Sequence, residues 1–210
     1  RQMCIRDRSR LRLLRAATPV SISRRFYLIN NSNENGGVYI IMNDMTLNWY
    51  KSIKNDNSFH YSFTKLKVIK LLFFASAVNA NNEDHNLLGT FNKFVAMPFG
   101  PVESDIYNKM NQSAIGKYCI SDKELKIQEV STENNEDKLS PTIIEQINES
   151  VDALRKINNR LVLYSAFDLV DLSHKWSCWR TTYSYARQIN KGSISIPDNL
   201  IINSDKYFII

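Results

Sequence analysis

Apolar and polar residues follow one another along this chain with periods that are mostly helical. Within 42–62 the composition is polar and aromatic, and Trp49, Tyr50 and Ile53 fall on one face of a short helix. Residues 64–81, TKLKVIKLLFFASAVNAN, carry the first strong signal. Leu66, Ile69, Phe73 and Ala77 recur at helical spacing, and Leu72 and Val78 widen the stripe. Thr64 is a good N-cap type. The segment predicts a largely buried helix with Lys65, Lys67 and Lys70 on a solvated face. The polar break from Asn79 to Asn86 ends it.

Phe91, Phe94, Met97 and Phe99 form an aromatic-rich stretch without a clear period, for which core packing is the default and a groove lining the alternative. Gly100-Pro101 then resets the chain. Proline at the first helical position sacrifices an N–H that would be orphaned anyway. Glu103 and Asp105 suit a first turn, where the helix dipole favours negative charge. With Val102, Ile106 and Met110 as its apolar stripe, a helix of about three turns is predicted from Pro101 onward.

Residues 116–130 alternate in two short runs around Ser121-Asp122-Lys123 and predict a β-hairpin. Residues 131–138 read as a solvated loop. Ser140-Pro141 opens a strongly amphipathic helix striped by Ile144, Ile147, Val151 and Leu154. Ser165 with Asp168 three residues later predicts a capping box. Phe167, Leu169, Val170 and Leu172 are expected to pack inward. A turn at His174–Trp179, a helix through Arg187, an extended piece at Ile194–Ile196 and a helix after Pro197 complete the chain. The fold class is mainly α: a single compact helical domain with a minor β-hairpin.

Charge changes the picture only when it is divided. The net charge is +6 over 210 residues, and all of it lies in residues 1–41, which hold eight Arg, no Lys and two acids; residues 42–210 balance to zero. The body therefore has no excess to attract phosphate, and nucleic acid is not an expected partner. The leader fits a mitochondrial-type presequence, a basic arm, or translated sequence foreign to the gene. The third is favoured, because RQMCIRDR resembles a peptide that recurs where sequencing-adapter DNA is read as coding. On that reading 1–41 is a non-native or disordered leader, Met42 or Met45 is the true start, and 42–210 is the domain. Three Cys (Cys4, Cys119, Cys178) are too few and scattered for a disulfide framework, and no run of about 18 apolar residues exists. A cytoplasmic protein without a membrane partner is expected.

Candidate chemistry is sparse. His174 and Cys178, four apart, would share a face of a continuous helix and could make a dyad or half a metal site. Cys119, His60 and His85 offer no recognisable ligand spacing to complete it. Asp168, Asp171 and His174 also lie near one helical face, but a cap and a solvated acid explain the two carboxylates. There is no phosphate loop, nucleophile elbow, HExxH or CxxC. The expectation is a binder rather than an enzyme, with no catalytic, cofactor or metal residues; a hydrolase built on Cys178 and His174 is the remaining enzymatic class.

Three segments carry a resemblance: TKLKVIKLLFFASAVNA, FNKFVAMPFGPVESDIY and LYSAFDLVDLSHKWSCW. Their order and spacing resemble the Panacea domain, the antitoxin SocA-like family of bacterial and phage proteins that includes phage-associated GepA-like members. The matching residues are Thr64, Lys65, Leu66, Lys70, Leu71 and Leu72, then Phe99, Gly100, Pro101, Val102 and Tyr107, then Ser165, Leu169, Leu172, Ser173, His174 and Trp179. The likeness spans roughly residues 46–205. Ser177-Cys178 stands where the family usually has Pro, and Phe73-Phe74 where Tyr is common. The resemblance implies an antitoxin that neutralises a cognate toxin by direct protein–protein binding in a toxin–antitoxin system. Its alternative is a proteolytic adaptor, with a host protease as partner, or a phage-derived interaction protein without a toxin.

Overall fold

The computed structural model describes residues 36, 38–40, 42–54, 56–82, 85–112, 115–128 and 140–210. All of them fall in one compact unit, Asn33–Ile210. The loop expected at 131–138 and most of the leader lie outside the described residues. Residues 38–40 and 42–53 are helical and form α1. This helix begins upstream of Met42, and Val38 and Tyr39 are 0% exposed in the core. Helical residues thus lie on both sides of the boundary expected between residues 41 and 42. Trp49 and Tyr50 are buried as their spacing predicted.

After a single turn, α2 (Phe59–Ser62), comes α3 (Lys65–Val78), the hub of the fold. Every residue from Lys67 to Val78 is buried. An amphipathic surface helix buries one stripe, whereas a helix apolar nearly all round is enclosed. Here α5 (Pro141–Ile157), α6 (Ala166–His174) and strand β2 (Gly100–Glu103) enclose it. Phe73 and Phe74 meet Trp176 at centroid distances of 5.0 and 6.1 Å, and Phe208 closes the cluster. Each fully buried side chain of this size contributes about 2 kcal/mol.

The solvated lysine face is corrected. Lys67 is 1% and Lys70 0% exposed. Lys67 lies over the rings of Tyr50 and Phe63, at 5.6 and 5.1 Å, and donates to Ser62 Oγ at 2.8 Å.

A second correction concerns Pro101. Residues 94–103 form a hairpin, β1 (Phe94–Met97) with β2, in register Val95 to Val102 and Met97 to Gly100. The helix expected from Pro101 begins at Ser104 and is α4 (Ser104–Gln112). Strand order is β2-β1-β5, with β5 being Ile194–Ser195, so Pro101 lies in an edge strand, where the missing N–H is tolerated. Glu103 Oε2 accepts from the Ile106 N–H at 2.7 Å, capping α4 from the strand's last position.

The expected second hairpin is β3 (Tyr118–Ile120) with β4 (Leu125–Ile127). Strand β5 (Ile194–Ser195) joins β1, and α7 (Ser177–Gln188) and α8 (Asp198–Ile202) complete the mainly α fold. Ser165 Oγ accepts from Asp168 N at 3.1 Å, and Asp168 Oδ2 accepts from Ser165 N at 2.9 Å, which is the capping box. Phe167 does not pack inward as expected; it is 64% exposed.

Candidate functional site

Three segments far apart in sequence meet at one joint. From α3, the Lys70 ammonium donates to the Pro101 carbonyl at 2.6 Å. From the hairpin, Gly100 takes φ +95, and a Cβ there would lie 2.3 Å from Ser173 Oγ and 2.9 Å from Lys70 Nζ. From α6 comes Ser173, whose hydroxyl donates to the Val170 carbonyl at 2.8 Å. Only glycine permits both the backbone angle and the approach. Burial pushes the Lys70 amine down to about 7, since no carboxylate among the described residues offsets its lost hydration.

His174, the last residue of α6, lies flat on Trp179 of α7, ring centres 3.8 Å apart and planes within 10°. Trp179 in turn stacks on Tyr183 at 5.2 Å and donates its indole N–H to the Met97 carbonyl at 2.9 Å. Burial lowers the His174 pKa; the Lys70 charge adds to this, and Asp171 and the Pro98 carbonyl oppose it. Its Nε2 is buried without a hydrogen-bond partner.

The joint supports the two-residue tip of the hairpin, Pro98–Phe99. Phe99 is 57% exposed and meets Phe167 edge-on, ring centres 6.4 Å apart. Two large aromatic side chains from different elements thus touch one another in solvent.

The residues singled out in the sequence divide accordingly. Gly100, Pro101, His174 and Trp179 assemble here with Lys70 and Ser173. Val102 is buried in β2 and Tyr107 half-buried on α4, both within the core. Thr64, Lys65 and Leu66 lie one to two turns up α3 from Lys70. Thr64 sits at the N-cap without its side chain accepting a cap bond. Lys65 donates its backbone N–H to Ser121 at 2.9 Å and its Nζ to Asn111 at 2.7 Å, fastening α3 to the second hairpin and α4. Sequence reasoning missed the Phe99–Phe167 pair; the capping box, which fixes Phe167 in the first turn of α6, was the available signal.

The dyad geometry does not form. The chain breaks between α6 and α7, so the four-residue spacing of His174 and Cys178 no longer lies on one helix. Cys178 is buried, with its thiol against Ser204, and burial pushes that thiol up. His60 hydrogen-bonds to the Leu125 carbonyl at 3.0 Å, and His85 pairs with Glu149. Among the described residues no group of three or more His, Cys, Asp or Glu could hold a metal ion. Among them, too, no helix is long and apolar enough to cross a membrane.

The family described as antitoxin SocA-like, Panacea domain, matches residues 68–180, which takes in the whole joint and its tip. No curated protein and no solved structure matches the chain.

Proposed function

The chain belongs to the antitoxin SocA-like Panacea domain family, and from that premise we propose that it neutralises a cognate toxin by binding it directly, without turning over a substrate. The observation that carries this reading is the destination of the family-motif residues. Lys70, Gly100, Pro101 and Ser173 go into a buried joint that braces the projecting Pro98–Phe99 tip. A motif spent on holding a surface in place suits recognition, because an interface draws most of its affinity from a few well-positioned anchors. Free thiols at Cys119 and Cys178 suit a reducing, cytoplasmic setting within a bacterial or phage-derived two-gene system.

Co-expression with the product of the adjacent gene is the test. The neighbour arrests growth alone, and this chain restores growth and co-elutes with it. If the neighbour stays toxic and elutes separately, the reading fails. Restored growth that depends on a host protease and ends in loss of the neighbour identifies the adaptor alternative instead.

A further inference from the structure

We infer that the hairpin tip is a pH-operated latch: His174 holds it shut while its ring is neutral, and protonation releases the ring from Trp179 and opens the tip. This goes beyond the antitoxin reading and does not depend on it.

Three side chains clasp the turn of the hairpin by its carbonyls. Lys70 of α3 donates to Pro101, and the Trp179 indole of α7 donates to Met97. The His174 ring of α6 bonds the Pro98 carbonyl. Its Nε2 is buried and unpartnered, so the bond to Pro98 comes from Nδ1. Neutral His174 therefore carries its proton on Nδ1 and leaves at Nε2 only an unused lone pair. Protonation puts an N–H and a charge at that same atom, which has no acceptor among the described residues. A buried donor left unpaired is costly, and more so when charged.

The surroundings add to that cost. From α3 the ring meets Lys70, which becomes a cation as pH falls below about 7. On α6 itself Asp171 pulls the other way, from an exposed position, and Lys175 is exposed next along the chain. From α7 come the uncharged rings of Trp179 and, next in the stack, Tyr183, while Arg180 is exposed. The turn, Met97–Pro101, has no charged side chain, and Glu103 at the far end of β2 is engaged with the Ile106 N–H. Acid thus places two cations in one joint, opposed by one solvated carboxylate. The indole face attracts an imidazolium, but a ring swung outward gains hydration at both N–H groups and distance from Lys70. His174 is only half-buried and ends α6, so the ring lies close to solvent. Once it leaves, Pro98 loses its donor and the bond from Trp179 to Met97 loses its cover. The closed tip binds this proton less tightly than the open one, so opening is favoured as pH falls.

Each of the three tryptophans donates its indole N–H to a backbone carbonyl: Trp49 to Asn159, Trp176 to Tyr207 and Trp179 to Met97. Their exchange with solvent, read by NMR on the full chain between about pH 5 and about pH 8 and corrected for intrinsic rates, tests the latch. Protection at Trp179 is expected to fall by up to about tenfold per pH unit through the His174 titration, while Trp49 and Trp176 stay protected. His174→Asn keeps a donor near the Nδ1 position and takes up no proton, so H174N abolishes the fall. Trp179 protection that ignores pH, a fall shared equally by all three indoles, or a fall that persists in H174N overturns the inference. So does a His174 midpoint at or above 6.5, which leaves the cation held on the indole face. Should H174N fail to fold, the native chain decides: a Trp179 profile that departs from the His174 midpoint overturns the latch, and one that follows it supports it.

Discussion

The imidazole of His174 lies parallel to the indole of Trp179 at 3.8 Å and within range of the Lys70 charge. Its titration is therefore tied to an amine on another helix. The His174 midpoint by NMR falls below the ordinary 6.5, chiefly through burial and secondarily through Lys70. Lys70→Met moves the midpoint upward, toward the ordinary value. Because the folded state holds this proton less tightly than the unfolded chain, His174 costs stability as pH falls below 6.5. A midpoint indifferent to K70M would place the lysine charge elsewhere.

Lysine burial gives a second pH dependence. Burial takes Lys70 from 10.5 to about 7. Lys67 falls from 10.5 to about 8, through burial first and the Lys54 charge second, with Asp168 opposing. Between those values and 10.5 the unfolded chain binds more protons than the folded one. Stability therefore rises with pH across this window, with a slope approaching about 1.4 kcal/mol per unit for each lysine. Urea midpoints between pH 7.5 and 9.5 check it, and K70M removes the larger share of the slope. A flat profile in the native chain means solvated amines.

Gly100 tolerates no side chain. Gly100→Ala places a Cβ 2.3 Å from Ser173 Oγ at φ +95, and a loss of about 2–4 kcal/mol in chemical denaturation is expected. Ser173→Ala removes the nearest obstacle, so G100A/S173A loses about 1 kcal/mol less than the sum of the two single changes. Additive losses would mean that the backbone angle alone forbids alanine.

The first helix is integral to the fold. Tyr39 is fully buried, and its hydroxyl reaches Met110 Sδ at 3.7 Å. Tyr39→Ala is expected to cost about 3–5 kcal/mol. A chain begun at Met42 loses Val38 as well and melts lower still. Equal melting temperatures for the native and shortened chains would remove α1's first turn from the core.

Local rules were legible in the sequence where local chemistry decides the outcome. Ser165 and Asp168 cap α6 as their spacing predicted, and Ser140 caps α5 through the Ile143 N–H at 3.3 Å. Gly100-Pro101 misled because proline suits both a helix start and an edge strand. The choice was made by β5, whose Ser195 pairs with Val95 from the far end of the chain. Lys67 and Lys70 misled for a related reason. A helical wheel gives the direction of a side chain, but what covers it comes from Tyr50, Phe63 and the Pro101 carbonyl. Phe167 was apolar among apolar neighbours, and only the orientation of α6 turns it outward. The motif residues of the joint were readable as a set, while their meeting point required the fold.

The contact between Lys70 and Pro101 spans 31 positions, and Ser173 seals it from a segment made much later. On a ribosome adding about 5–20 residues per second, the roughly 70 residues separating hairpin from seal take about 4–14 s. For most of that interval the nascent polypeptide holds an unbraced Phe99 and no Phe167 to meet it. Closure of the joint therefore lags synthesis of the hairpin by that interval, and the tip gains its support only as the last fifth of the chain emerges.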